Sequence, residues 1–124
     1  MSIELNNPSN PESVLSVRTQ NSVLADLRDR IAGAVYGPGE PGYDAARSGF
    51  NLLADHRPAV IAVPANPFDV VEAVRFAVDE DLRVAVLATG HGPGAAADGA
   101  LLINTSHLDS VSVDPVNRTA TVAA

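Results

Sequence analysis

Apolar residues recur at helical spacing in two stretches of the chain and form short continuous or alternating runs elsewhere. In the first stretch, Ser22 has the side chain of an N-cap, and residues 37–39 form a Gly-Pro-Gly turn that ends the pattern. The apolar residues between them are Leu24, Leu27, Ile31 and Val35. This spacing predicts an amphipathic helix that starts at Ser22 and ends before the turn.

The middle of the chain predicts a strand–helix–strand unit. Residues 59–63 form a short apolar run, and residues 83–88 form a second one that is rich in valine. Between them, Asn66 is a suitable N-cap and Pro67 suits the first helical position. The apolar stripe of that helix consists of Val70, Ala73, Val74, Ala77 and Val78. Strands joined through a helix run parallel in one sheet, so a parallel βαβ unit is expected.

Three further strands are predicted after that unit. Residues 101–104 form an apolar strand, while residues 111–114 and 119–122 alternate apolar and polar side chains around the turn at 115–118. The alternation predicts an antiparallel hairpin. The fold class is therefore α+β, with a parallel βαβ start followed by antiparallel strands. The last strand leaves an exposed edge, which predicts a truncated domain and a surface for pairing with another chain.

The predicted elements divide the chain into three regions. Residues 1–20 are rich in Asn, Ser and Pro and lack a sustained period, which predicts a disordered N-terminal tail. Residues 21–50 form a helical lead-in, with one short helical turn expected between residues 44 and 50. Residues 51–124 hold the βαβ unit and the antiparallel strands, as the N-terminal part of an incomplete domain.

Composition and charge exclude several classes of protein. The chain has 124 residues, enough for one small domain, and its formal net charge of −7 argues against nucleic acid or a membrane surface as partners. It has no cysteine for disulfides or thiol chemistry, and no lysine for a Walker phosphate loop. The N-terminus lacks an apolar signal segment and no apolar run is long enough to span a membrane, so a cytoplasmic location is expected.

The main chemical signal is the glycine-rich loop that follows the second strand of the βαβ unit. Glycines let backbone N–H groups approach an anion, and open α/β sheets bind ligands at this end of their strands. His91 is the one strong nucleophile in this loop. No metal site is predicted, because the other histidines, His56 and His107, have no carboxylate at ligand spacing. The candidate cofactor-binding residues are Leu87, Ala88, Thr89, Gly90, His91, Gly92, Pro93 and Gly94.

Two other interpretations of the loop stay open from the residues alone. Residues 92–97 fit the G-x-G-x-x-A fingerprint of a dinucleotide-binding fold, with Asp114 near the place of a ribose-binding acid. That fingerprint needs a helix after the loop, but Asp98 and Gly99 would end such a helix before two turns could form. Alternatively, the glycines form only a tight connection, and His91 is an exposed residue without a chemical role.

Short segments spread in order along residues 41–124 resemble one known family. These segments are Tyr43-Asp44, Arg47, Phe50-Asn51, Pro58 to Ile61, Pro64, Asp69 to Val71, Ala73-Val74, Phe76-Ala77, Val84 to Val86, Gly90-His91, Ala100 to Asn104, Val111 to Asp114 and Arg118 to Val122. They resemble the FAD-binding domain of the p-cresol methylhydroxylase / vanillyl-alcohol oxidase family. The similarity is greatest to its berberine-bridge-enzyme-like and 6-hydroxynicotine-oxidase-like branch.

The resemblance implies an FAD-binding PCMH-type fold and an FAD-linked oxidoreductase that moves hydride from a small-molecule substrate to the flavin. Residues 87–94 would bind the FAD pyrophosphate, and His91 would carry the flavin covalently through a ring nitrogen. Tyr43 is either a cofactor contact or a packing residue. The substrate domain would lie outside this chain, so no catalytic residue is predicted. The alternative is a non-catalytic remnant or interaction module without flavin that associates through its C-terminal strand.

Overall fold

The computed structural model describes residues 11–92 and 96–123. Three helices lie in this part of the chain: α1 (Pro11–Arg30), α2 (Tyr43–Arg47) and α3 (Pro67–Asp79). Six strands accompany them: β1 (Ala34–Tyr36), β2 (Val60–Val63), β3 (Val84–Leu87), β4 (Leu101–Asn104), β5 (Val111–Asp114) and β6 (Thr119–Val122). The mixed helix and strand content confirms the α+β class, and α2 confirms the short helical turn expected after residue 43.

The strands form a four-stranded sheet in the order β1-β2-β4-β3 and a separate hairpin of β5 and β6. β2 and β3 both run parallel to β4, with Val60 and Val84 each opposite Leu101. The parallel βαβ unit of the sequence is thereby confirmed, and β4 is inserted between its two strands. The predicted antiparallel hairpin is also confirmed, with Val111 opposite Val122.

The four-stranded sheet is covered on both faces, which is why β2 and β4 are buried at every position. One face packs against α1 and α3 through the buried residues Leu27, Ile31, Val35, Val60, Ala62, Ala73, Phe76, Ala77, Leu101 and Ile103. The other face packs against α2 and the chain around residue 97 through Tyr43, Ala46, Ile61, Val63, Leu87, Ala97 and Leu102.

α1 begins earlier than its apolar spacing predicts. It starts at Pro11, so residues 11–20 of the predicted disordered tail are helical, and residues 1–10 of that tail lie outside the described residues. Proline suits the first turn of a helix, since the N–H that it lacks would have no helical partner there. The prediction for residues 11–20 is therefore wrong, because it overlooked this start signal.

α1 also ends before Val35, which the spacing placed on the helix and which is instead buried in β1. The N–H groups of Ala32 and Gly33 donate to the Asp69 carboxylate, which draws the chain out of the helical path. A Cβ at Gly33 would lie 2.0 Å from the Val63 carbonyl oxygen, so only glycine permits this approach to β2. The long-range contact overrides the helical pattern.

α3 has the predicted start and a different buried face. The Asn66 side chain accepts a hydrogen bond from the backbone N–H of Asp69, which confirms the predicted cap. The core-facing side carries Ala73, Phe76 and Ala77, whereas Val78 is 74% exposed. The predicted apolar stripe is therefore rotated, because Asp69 is held inside the fold and burial of the larger Phe76 ring is worth more than burial of Val78.

Asp69 is a buried carboxylate with three backbone donors. The N–H of Ala32 donates to Oδ1 at 3.0 Å, and those of Gly33 and Ala65 donate to Oδ2 at 2.9 Å. Burial opposes ionisation, but the hydrogen bonds from Ala65, Ala32 and Gly33 outweigh it and lower the pKa of Asp69 below its ordinary value. One side chain therefore joins the end of α1, the end of β2 and the first turn of α3.

A second close contact joins residues 49–51 to the turn after β3. The N–H of Phe50 donates to the Thr89 carbonyl at 2.8 Å, and that of Asn51 donates to the Gly90 carbonyl at 3.0 Å. Gly90 has a φ of +75°, and a Cβ there would lie 2.6 Å from the Cα of Gly49. The two segments are paired at a separation that only glycine permits.

We expect Asp69→Asn to lower the free energy of unfolding by about 2–4 kcal/mol at pH 7. In the variant, an NH₂ group replaces one carboxylate oxygen. This donor faces at least one of the backbone N–H groups from which the carboxylate accepts a hydrogen bond. The pKa of Asp69 is lowered in the folded protein, so its ionised form stabilises the fold above its unfolded pKa of about 3.9. That contribution is lost as the pH falls through the folded pKa. Denaturant unfolding of both proteins at pH 7 and at several acid pH values measures the difference between their free energies of unfolding. This difference should become smaller as the pH falls.

Glu72→Gln on the same helix is the matched control. Glu72 forms an ion pair with Arg75 at the helix surface, so the same chemical change should alter the free energy of unfolding by less than about 0.5 kcal/mol. Equal stability of Asp69→Asn and the unchanged protein would contradict the structural role given to this carboxylate.

We expect Gly90→Ala to lower the free energy of unfolding by about 1–3 kcal/mol, because the new side chain meets Gly49 and the backbone angle is unfavourable for any residue with a Cβ. Gly92→Ala is the control, since a Cβ at Gly92 meets no atom within 4 Å among the described residues. Its effect should stay within about 0.5 kcal/mol. Chemical denaturation of both variants tests the contact, and losses of equal size would refute it.

Candidate functional site

The glycine-rich loop leaves the carboxyl end of β3, which is an edge strand of the four-stranded sheet. Leu87 ends the strand, is buried and accepts a hydrogen bond at its carbonyl from the Thr105 N–H at 2.9 Å. The chain then turns outward, and Ala88, Thr89 and His91 are exposed. Gly92 is exposed too, while the last two predicted loop residues, 93 and 94, lie outside the described residues.

The loop forms one wall of a cleft of about 480 Å³ that runs along β3. The described residues that line it are Gly49, Asn51, Ala54, His56, residues 83–92, Ala96, Ala97 and Leu102. The structure thus brings the described loop residues Leu87 to Gly92 together at one cleft. Sequence reasoning missed the opposite wall at residues 49–56, because these residues reach the loop only through the long-range pairing with Thr89 and Gly90.

The cleft differs in charge from the rest of the protein. None of its described lining residues is Asp or Glu, although the chain has 15 acidic residues against eight arginines. Arg83 and two histidines, His56 and His91, lie on its walls. Arg83 also donates to the Asp98 carbonyl at 2.8 Å, which fixes its position at the rim. A wall with an arginine and without carboxylates favours an anionic ligand.

His91 stacks on the ring of Phe50. The two ring centroids lie 4.1 Å apart, and the planes are inclined by 10°. Both side chains are exposed, and both line a second hollow on the other side of the loop, next to Asn104 and Ser106. His91 therefore stands between the two hollows with one face covered by a ring. Sequence reasoning did not pair these residues; the only signal was that the Phe50-Asn51 segment and the Gly90-His91 segment belong to the same resemblance.

Other residues considered from the sequence have structural contacts. Tyr43 is buried and its hydroxyl donates to the Pro58 carbonyl at 2.6 Å, while burial raises the pKa of this phenol. Tyr43 is thus a packing residue. His56 lies in the cleft, where its Nδ1 accepts from the Ala97 N–H at 3.4 Å. His107 lines a separate hollow beside Asn66. No group of three or more metal-ligating side chains occurs among the described residues.

The dinucleotide-binding interpretation of residues 92–97 is wrong. Described residues 96–100 form a turn that leads directly into β4 at Leu101, which leaves no room for the helix that the fingerprint requires. Asp114, the supposed ribose-binding acid, is used within the β5–β6 hairpin. Its carboxylate accepts from the Asn117 side chain and from the N–H groups of Asn117 and Val116, and these bonds lower its pKa.

In the part of the chain that the structure describes, no helix combines the length and the apolar character needed to cross a membrane.

Comparison with known proteins gives a family. The family model described as "FAD binding domain" matches residues 58–124, which include β2, the loop after β3 and the β5–β6 hairpin. An FAD-linked oxidoreductase from Dictyostelium discoideum is 31% identical over 101 residues, which are 81% of this chain and 22% of that protein.

Solved structures show the same similarity. The 6-hydroxy-D-nicotine oxidase from Arthrobacter nicotinovorans has a TM-score of 0.69 at 30% identity, over 74% of this chain and 21% of that one. Glucooligosaccharide oxidase from Acremonium strictum has a TM-score of 0.66 at 28% identity, over 83% of this chain and 22% of that one. The chain spans about a fifth of the length of these relatives.

These matches confirm the resemblance and the PCMH-type α+β fold, and they favour a flavin-binding domain over a remnant without cofactor. The matched range holds β2, β3 and β4 of the four-stranded sheet, the loop and most of the cleft walls described above. The chain therefore belongs to the FAD binding domain family, whose cofactor is FAD.

Proposed function

We propose that this chain is the N-terminal portion of an FAD-linked oxidoreductase and that residues 87–94 bind the diphosphate of FAD. The observation that carries the proposal is the set of side chains lining the cleft, whose described walls bear one cation, Arg83, together with two histidines and no carboxylate. In a chain with a net charge of −7, such a wall selects for an anion.

The shape of the loop fits the diphosphate. Gly90 turns the backbone through a positive φ, the kind of turn in which successive N–H groups converge on an anion. A Cβ on Gly92 would meet no described atom within 4 Å, so the backbone there is open to a ligand. The cleft of about 480 Å³ is of ordinary size for a ligand pocket and suits the diphosphate with part of its flanking groups.

We further propose that His91 carries the flavin covalently. Its ring is exposed at the mouth of the cleft, and the similar glucooligosaccharide oxidase has a 6-S-cysteinyl, 8α-N1-histidyl FAD. Bond formation replaces one methyl C–H and the imidazole N–H by a C–N bond. The two electrons and two protons released would pass to the flavin ring, and O₂ would be the oxidant that restores its oxidised form.

The activity proposed for the whole protein is the removal of hydride from a small-molecule substrate by the flavin. In this part of the protein, the residues supply binding, orientation and electrostatics. No catalytic acid or base is assigned among the described residues, and no substrate is assigned. The cytoplasmic location and self-association through β6 stay predictions.

We expect His91→Ala to abolish covalent flavin. The imidazole supplies the only nitrogen nucleophile that the described cleft offers on its exposed loop, so its removal leaves the cofactor to dissociate on denaturation. The measurement is the intact mass of the denatured protein after incubation with FAD, which should show one added FAD in the unchanged protein and none in the variant. His107→Ala is the matched control and should keep the adduct.

Covalent flavin retained in His91→Ala would overturn the assignment of His91. A separate measurement tests diphosphate binding: FAD should protect His91→Ala against thermal unfolding, because the loop backbone remains. Absence of any such protection in both proteins would overturn the proposed binding site.

A further inference from the structure

We propose that Phe50 is a positioning residue that orients the His91 imidazole for attachment to the flavin. The inference deepens the function proposed above and rests on it. Its basis is the nearly parallel stack of the two rings, with centroids 4.1 Å apart and planes inclined by 10°. Neither the family match nor the similarity to the relatives assigns a role to this side chain.

The stack is fixed by the backbone. The Phe50 N–H donates to the carbonyl of Thr89, two residues before His91, and the Asn51 N–H donates to the carbonyl of Gly90. The close approach of Gly49 and Gly90 brings the two segments together. Because these two hydrogen bonds fix the backbone of Phe50 against the turn, its ring lies against His91, the residue after Gly90.

Phe50 contributes little to the core. Phe50 is 70% exposed, and it belongs to neither of the two core clusters of the described residues. Its neighbour Leu53 is 95% exposed. Because little of the Phe50 ring is removed from water, hydrophobic burial does not explain the position of this side chain. The contact that explains it is the stack on His91.

The geometry of attachment explains why such a contact matters. A ring nitrogen attacks a carbon atom through the lone pair in the plane of the ring, so the edge of the imidazole must point at the flavin methyl carbon. A parallel ring on one face restrains tilting of the imidazole and leaves its edge free. Without such a contact, an exposed histidine on a glycine-rich loop samples several rotamers. Holding the imidazole in the reactive rotamer removes the entropic cost of fixing it from the activation free energy of attachment.

We expect Phe50→Leu to slow covalent attachment of FAD by about two- to tenfold, which is the range of a lost aromatic pair. Phe50→Tyr keeps a flat aromatic ring and should restore the rate. The measurement is the fraction of denatured protein that carries FAD, followed over time after FAD is added to apoprotein.

A second readout is independent of the flavin. In apoprotein, the ring protons of His91 should resonate upfield because they lie over the Phe50 ring. This upfield displacement should vanish in Phe50→Leu and persist in Phe50→Tyr. Leu53→Ala, which truncates a nearby apolar residue that is even more exposed than Phe50, is the control that should change neither the rate nor the resonances.

The outcomes separate this inference from the function on which it rests. Unchanged His91 resonances or an unchanged attachment rate in Phe50→Leu would overturn the positioning role, while loss of the adduct in His91→Ala would still support the attachment site. An attachment rate that is lowered in Phe50→Leu and equally lowered in Phe50→Tyr would also overturn the positioning role. Absence of covalent flavin in the unchanged protein would overturn both the attachment and the role of Phe50.

Discussion

The Asp69 carboxylate joins three elements that are distant in the sequence, and the position of the site depends on it. It accepts hydrogen bonds from the N–H groups of Ala32, Gly33 and Ala65 while it is 4% exposed. Its charge would be costly inside the fold without those donors, and the donors would be unsatisfied without it. Because the three bonds hold α1, β2 and α3 together, the helices cover one face of the sheet.

The opposite face of the same sheet is covered by α2 and the chain around residue 97, and the cleft lies at the sheet edge along β3. α2 packs on this opposite face through Ala46, and the Asn104 side chain at the end of β4 donates to the Ala46 carbonyl at 2.8 Å. The chain after α2 then reaches the loop at Gly90. Two contacts therefore form the cleft. The first requires the Asp69 carboxylate, and the second requires glycine at both Gly49 and Gly90. The second contact also positions the exposed His91 ring.

Local features of the fold were readable from the sequence, and long-range features were not. The cap at Asn66, the strands on both sides of α3 and the β5–β6 hairpin follow from spacing and turn residues within short windows. The early end of α1 depends on Asp69, 36 or 37 positions further along the chain. The pairing of residues 49–51 with Thr89 and Gly90 is equally remote, so the loop was predicted while the wall that faces it was missed.

Backbone amide spectra of isotope-labelled apoprotein during titration with FAD test most directly the claim that FAD binds at the loop after β3. The account predicts that the largest changes occur at residues 87–92 and at the paired residues 49–51, with little change in the hairpin at 111–122. Largest changes at the hairpin or at the hollow beside His107, or no change at saturating FAD, would contradict it.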